Sequence, residues 1–553
     1  MNKFWCIIVL GIVPVWMMAQ SDSTSTQGEV VSGEIIIQKD RKITLPKATK
    51  LYQRGDLLGL DTAPLDINMS AKEPALEWPS YVSDIPLVPV PQTTTVASYQ
   101  NYASLGYGNY GSPLARVGIF ERLGSFDLRN TFMYERYSSG PVNGSSSGNS
   151  IGAINLSGTR KSDKMTIAPF LNYSNRSFRF YGNTDRQNPG FNTLEELDRV
   201  NLSSFHLGTH IQGASGSHSY EVTPKIGRTA QKQRGQPTLN SENAASVDGA
   251  FVLKMNKGLD AGLKFQTSAS RYTGGVEYNR SLLQATPWVG YSGDRYTIKG
   301  GLQLASSNAD TLSNVGVYPD LIGTYQLDDN WSLVGHLRGG MTWQSLDALL
   351  NELEFLDDSL QILNQETNIS FGGGLHGLLL KDLLFEVDLS FSSLKDLPFF
   401  VPSDTDSSRY TIVYDRGNVN QVTLSSTLKY SPSTNAMYSA TIVFNSFDLD
   451  NLDRPWHLPR YQFSVNSSHT LQEKVIFSTQ LTALGGLRAP TTVGFGIEDL
   501  DPIIDLGFTV DYRITKRFSA FVLTTNLLNR AYERYLGYPV RGATFKVGGQ
   551  YRF

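Results

Sequence analysis

The chain has 553 residues, including 50 glycines, 27 tyrosines and 27 phenylalanines, and its 48 basic and 51 acidic residues leave it close to neutral. Near-neutrality offers no electrostatic footprint for nucleic acid, and a single cysteine, Cys6, excludes a disulfide framework and a cysteine-based metal site. Abundant turn formers and amphipathic rings suit a protein that meets lipid and water on alternate side chains.

The first twenty residues read as a secretory signal: Lys3 supplies the positive start, Phe4 to Met18 form a short apolar core, and Ala19-Gln20 close it. Such a core is too short for a stable span, and Cys6 lies inside it rather than at its end, which argues against a lipoprotein anchor. After it no run of about 18 apolar residues occurs, which excludes a helical inner-membrane protein. Residues 21–97 hold Pro46, Pro64, Pro74, Pro79, Pro86, Pro89 and Pro91 and predict a proline-rich periplasmic or lumenal extension, because proline interrupts both helix and sheet. Ile85-Pro-Leu-Val-Pro-Val-Pro91 favours a polyproline II spacer; only Glu34-Ile-Ile-Ile37 has strand character.

From about residue 98 the pattern becomes segments of alternating apolar and polar residues separated by turn formers. Ala543, Phe545, Val547, Gly549, Tyr551 and Phe553 share one face, and Thr544, Lys546, Gly548, Gln550 and Arg552 the other. Leu383, Phe385, Val387, Leu389 and Phe391 oppose Glu386, Asp388, Ser390 and Ser392 in the same way. Short turns recur near 123–125, 161–164, 213–216, 256–258, 292–294, 328–330, 381–382, 431–434, 472–473 and 515–516. Longer polar loops are expected near 183–197, 230–245, 345–365, 397–418 and 486–502. Short turns at one end and long loops at the other predict an all-β fold, one large transmembrane antiparallel barrel of about 22 strands over residues 98–553. A soluble propeller would also alternate, but no blade-like repeat is visible.

The last third resembles the barrels of TonB-dependent receptors of the Bacteroidetes type, through Thr525-Asn-Leu-Leu-Asn-Arg530, Tyr532-Glu533, Tyr538-Pro539, Gly542 and Gly549-Gln-Tyr-Arg-Phe553. The resemblance implies that Tyr551 and Phe553 belong to the insertion signal read by the barrel-assembly machinery. Leu105-Gly-Tyr-Gly-Asn-Tyr110 with Ser112-Pro113, and Glu34-Ile-Ile-Ile37 with Ile43-Thr-Leu-Pro46, resemble a plug-less group of such barrels. Residues 21–97 are fewer than the ~100 or more that a folded plug needs. Gly28-Glu-Val-Val31 can be read as a TonB box suited to strand addition, with a short periplasmic strand or tail as the favoured reading, so a role for TonB stays open.

Nothing in the sequence argues for an enzyme, a cofactor or a metal site. His206 and His210 lie four apart in one strand and share a face, but no carboxylate accompanies them at ligand spacing; a plain lumen or loop role is expected. Ser217-His218 and Ser468-His469 carry no nucleophile motif. Asn526-Leu-Leu-Asn529 suits a turn anchor, since asparagine tolerates left-handed backbone. Alternation predicts lumen-facing Lys254, Lys264, Arg295, Lys299, Glu386, Asp388, Lys429, Asp511, Arg513 and Lys546. Their mixed signs suggest internal ion pairs or a lumen packed by another segment rather than an ion-selective pore. Leu346-Asp-Ala-Leu-Leu-Asn-Glu-Leu-Glu-Phe355 has helical spacing and predicts a short amphipathic helix in an outer loop, solvated rather than acting as a lid. Two functions follow for a barrel lodged in outer-membrane lipid: passage or uptake of a solute, with the extension partly filling the lumen, or a non-conducting scaffold holding a periplasmic or lipoprotein partner.

Overall fold

The computed structural model describes residues 101–142, 147–182, 198–235, 238–255, 258–309, 312–491 and 496–553. The predicted signal, the proline-rich extension and the loop at 183–197 lie outside the described residues.

Alternation with period two produces one antiparallel sheet of 22 strands, running from Tyr102–Gly108 to Thr544–Arg552. The sheet closes on itself because the first strand pairs with the last, Tyr102 opposite Arg552 and Gly108 opposite Lys546. Closure pairs every strand on both sides, which is what a sheet needs where no water can satisfy an edge. The strand Glu277–Ser292 shows the alternation plainly. Leu283 (60% exposed), Val289 (54%) and Tyr291 (41%) point outward, while Arg280, Leu282, Gln284 and Thr286 on the other face are buried. Exposed leucine, isoleucine, valine and tyrosine recur around the outer wall, and burying that surface in lipid is what makes it favourable.

At one end every connection is short, at or within about two residues of the sequence-predicted turns; positions 256–257 of one of them fall outside the described residues. Gly124 and Gly216 take φ of 62° and 58° there, and Gln472 and Glu473 take 49° and 57°, the left-handed backbone that tight turns require. The barrel's two ends meet at this same rim, where the Phe553 amide donates to Asn101 O at 2.8 Å. The opposite end mixes short links such as 274–276 with long ones, including 343–364, 396–418, 486–502 and 526–543. The expected loop at 230–245 is corrected. His218–Gln233 and Thr238–Lys254 run through almost all of it, because these strands climb past the lipid band and become polar on both faces, which reads as loop in a sequence.

Candidate functional site

Segment 343–364 leaves the strand Trp331–Thr342 and, instead of standing in solvent, folds into the barrel mouth. Ser345 caps its helix, Leu346–Glu352, by accepting from the Ala348 amide at 3.1 Å, and Asp347 sits in the first turn where the helix dipole favours an acid. Leu346, Leu349 and Leu350, spaced for one helical face, are all at most 3% exposed. The expectation of a solvated helix is therefore corrected: its apolar stripe meets the barrel's inner surface. Beyond the helix Leu353, Phe355, Leu356, Leu360 and Ile362 are equally buried, in one core with Phe178, Val200, Leu202, Tyr272 and Tyr278 of the wall strands.

A buried irregular segment must find partners for its backbone, and the wall supplies them. Gln231 Nε2 donates to Glu354 O at 3.0 Å, Asn240 Nδ2 to Asp357 O at 2.9 Å, and Tyr272 Oη to Asp358 O at 2.8 Å. Tyr278 Oη donates to Leu360 O and accepts from the Ile362 amide, each at 2.8 Å. At the centre the Glu242 carboxylate accepts from the Leu346 amide at 2.7 Å, from Ser270 Oγ at 2.7 Å and from the Arg280 guanidinium, which itself donates to Gln344 O at 2.7 Å. Glu242 and Arg280 are 2% exposed or less. A buried pair of this kind contributes little net stability while intact, yet losing one partner strands the other charge.

Two further loops cover this segment. The hairpin Pro398–Pro402 with Tyr410–Tyr414 bridges to it at Leu356 and Tyr410. From the connection 526–543, Tyr538 stacks on Phe355 with ring centroids 3.6 Å apart, and Tyr410 Oη donates to Leu536 O at 2.6 Å. That connection is pinned by Asn526, fully buried at φ 47°, whose Nδ2 donates to Arg530 O and Arg541 O at 2.9 Å each, with Asn529 also left-handed at φ 50°.

Further charged or titratable groups are enclosed in this cap, among them Glu352, whose carboxyl burial pushes up. Glu354 lies 3.6 Å from Arg176, and burial pushes its carboxyl up to about 7 against the pull of that arginine. Burial, aided by Arg534, holds His457 down to about 3; its Nδ1 donates to Phe400 O at 2.9 Å. Arg541 donates to Ser139 O at 3.1 Å and to Asn149 Oδ1 at 3.0 Å, with Tyr137 4.1 Å below its guanidinium.

The ten charged residues named from alternation are spread over the barrel and do not form one centre. Lys546 is 2% exposed and ion-paired with Glu135, Lys429 lies 3.7 Å from Glu386, and Asp388 is 2.8 Å from His376. Lys299 sits 3.6 Å over the Trp288 ring, Asp511 accepts from Ser519 at 3.0 Å, and Arg513 donates to Glu473 O at 3.4 Å. Lys254 and Lys264 are exposed in their strands, and Arg295 is exposed in the connection before Tyr296. Tyr551 and Phe553 are exposed on the outside at the seam, rings 6.1 Å apart. His206 and His210 are separated by roughly 13 Å along their strand; His210 Nδ1 lies 2.9 Å from Thr223 Oγ1 instead. Ser468 and His469 face opposite ways, as neighbours in a strand must, and His469 stacks on Phe477 at 4.5 Å.

No protein-family profile matches the chain, and no curated protein is similar to it in sequence. Solved structures are similar in fold. The FrpB iron transporter from Neisseria meningitidis (F5-1 variant) superposes with a TM-score of 0.64 at 9% identity, over 82% of each chain. The ferric-catecholate import receptor Fiu from K12 E. coli gives 0.61 at 10% identity over 82% of this chain and 81% of that one. The copper transporter OprC gives 0.61 at 12% identity over 82% and 80%. At such identities the likeness is one of architecture, and it agrees with what the wall itself dictates. The chain is an outer-membrane β-barrel. Its size, closure and apolar exterior place the 22-stranded wall in lipid, and the connections 343–364, 396–418 and 526–543 meet at the mouth.

Proposed function

We propose that this barrel takes up a solute across the outer membrane in the manner of a TonB-dependent-receptor-like transporter, with its mouth closed by segment 343–364. The observation that carries this reading is the match between wall and segment. Side chains from four adjacent strands are placed to bond the segment's backbone, which a barrel serving only as a wall does not need. The likeness in fold to transporters of iron and copper supports the same reading, and transport, rather than catalysis, is the activity it favours. Residues 21–97 fill part of the lumen beneath the cap, and Lys254, Lys264, Arg295, Lys299, Glu386, Asp388, Lys429, Asp511, Arg513 and Lys546 contribute the polar surface along which a hydrophilic solute travels. Tyr551 and Phe553 serve as the insertion signal for the barrel-assembly machinery.

Single-channel conductance in planar bilayers tests the proposal, comparing the full chain with a version whose residues 345–362 are replaced by a short Gly-Ser linker and with one that also lacks residues 21–97. The full chain is expected to be silent and conduction to appear once the obstruction is removed. Large steps from the full chain would make it an open diffusion pore, and silence from all three correctly folded versions would favour a sealed scaffold for a periplasmic or lipoprotein partner.

A further inference from the structure

On the outside of the barrel, towards the rim opposite the chain ends, the wall changes character abruptly. Arg228, Asn243, Arg271 and Asn279 are direct cross-strand neighbours in one row, and all four are exposed. They share the outward face with Ile226 and Leu283, which are 54% and 60% exposed. The next row towards the short turns is Ile226, Ala245, Ala269 and Ser281. Small side chains beneath a long polar row leave a notch of about 770 Å³, lined by Asn243, Ala245, Ala269, Arg271, Asn279 and Ser281 among others.

The level of this notch follows from the strand Glu277–Ser292. Its outward residues from Leu283 to Tyr291 span roughly 21 Å at ordinary strand rise and tilt, close to the ~25 Å apolar band of such barrels. Ser281 and Asn279 therefore stand at the edge where acyl chains give way to headgroups. Arg228 Nη1 donates to Asn243 Oδ1 at 3.2 Å, which turns the Asn243 amide donors away from Arg228. Arg271 is held by Glu277, whose carboxylate offsets part of its charge, so Arg228 contributes most of the net positive potential. Guanidinium and amide donors above, small side chains at the centre and branched apolar residues below suit one kind of occupant.

The geometry points to a docking site for a phosphate-bearing lipid of the outer leaflet, its phosphate between Arg228 and Arg271 and its chains lying over Ile226 and Leu283. Arginine forks suit phosphate because they donate two parallel hydrogen bonds.

The test is native mass spectrometry of the full chain released from neutral detergent, titrated with phosphatidic acid, with the matching diacylglycerol and with inorganic phosphate. Arg228→Gln combined with Arg271→Gln is compared with a charge-matched control, Arg416→Gln with Arg454→Gln in the outer loops; heat-modifiable gel migration verifies that each barrel is closed. Phosphatidic acid adducts are expected on the native chain and the control, weakened roughly ten-fold in the Arg228/Arg271 variant, the loss typical of a charged hydrogen bond. Equal loss in the control, equal binding of diacylglycerol, or displacement by millimolar inorganic phosphate would each overturn the proposal, the last by making the site one for a free anion.

Discussion

A single carboxylate, Glu242, holds the entry of the inward segment, and it does so as part of a buried ion pair. Glu242→Ala leaves Arg280 buried without its acid, a change that costs about 3–5 kcal/mol where no water can reach. We expect segment 343–364 to become cleavable by added protease in the variant while the barrel keeps its heat-modifiable migration; an uncleaved segment would show that Glu242 is not a latch. Glu242→Leu combined with Arg280→Met should recover only part of the protection: it removes the stranded charge, but the Leu346 amide, Ser270 Oγ and Gln344 O lose their buried partners. None of this was legible beforehand. Glu242, Asn240 and Gln231 fall in a stretch whose polarity reads as loop, and a charged residue buried against another segment has the same one-letter signature as one in water.

The segment itself was half legible. Leucines at 346, 349 and 350 declare a helix, and the structure has one at Leu346–Glu352, but spacing says which face is apolar and not what covers it. Its cover is the inner wall with the aromatic pair Phe355 and Tyr538. Phe355→Ala removes a fully buried ring and should loosen the cap by about 3–5 kcal/mol, read as faster amide exchange across 353–362 with exchange in the strands unchanged. The cap also carries its own pH dependence. Glu354 has a folded pKa raised from 4.5 to about 7, so the cap binds a proton that the opened segment releases, and this stability is complete below 4.5 and lost as pH rises through 7. His457 acts in the opposite sense: its folded pKa is lowered from 6.5 to about 3, so stability is complete above 6.5 and lost as pH falls towards 3. Together they predict tightest closure between roughly pH 4.5 and 6.5. Amide exchange in segment 343–364 measured across pH, corrected for intrinsic rates, checks this, and Glu354→Gln should reduce the loosening on the alkaline side alone, the remainder coming from Glu352, whose carboxyl is also pushed up by burial.

At the scale of the whole molecule the fold was the most legible part, because period-two alternation and turn chemistry are local signals repeated along the chain, and each repetition corrects the last. Strands such as Leu383–Lys395 follow the sequence pattern, and the count of 22 came from the turns. What alternation could not show is where two strands far apart in sequence touch. Gly108 marks such a place: a Cβ there would lie 2.0 Å from Phe545 O and 2.6 Å from Lys546 Cγ, whereas at Gly335 the nearest atom would be 3.9 Å away. Gly108→Val should therefore abolish the compact, heat-modifiable band on gels, and Gly335→Ala should leave it intact; two equally stable variants would remove the seam from any special role.

That seam also sets an order of events. Tyr102–Gly108 and Thr544–Arg552 come from opposite ends of the described chain and pair with each other only at closure. Until the last strand arrives, the first has an open edge, and every intermediate sheet offers two adhesive borders to other chains. Closure of so distant a contact is slow, so the unfinished barrel needs an escort that keeps both borders occupied, and crowding of nascent chains should hinder its production more than any weakness of the finished wall.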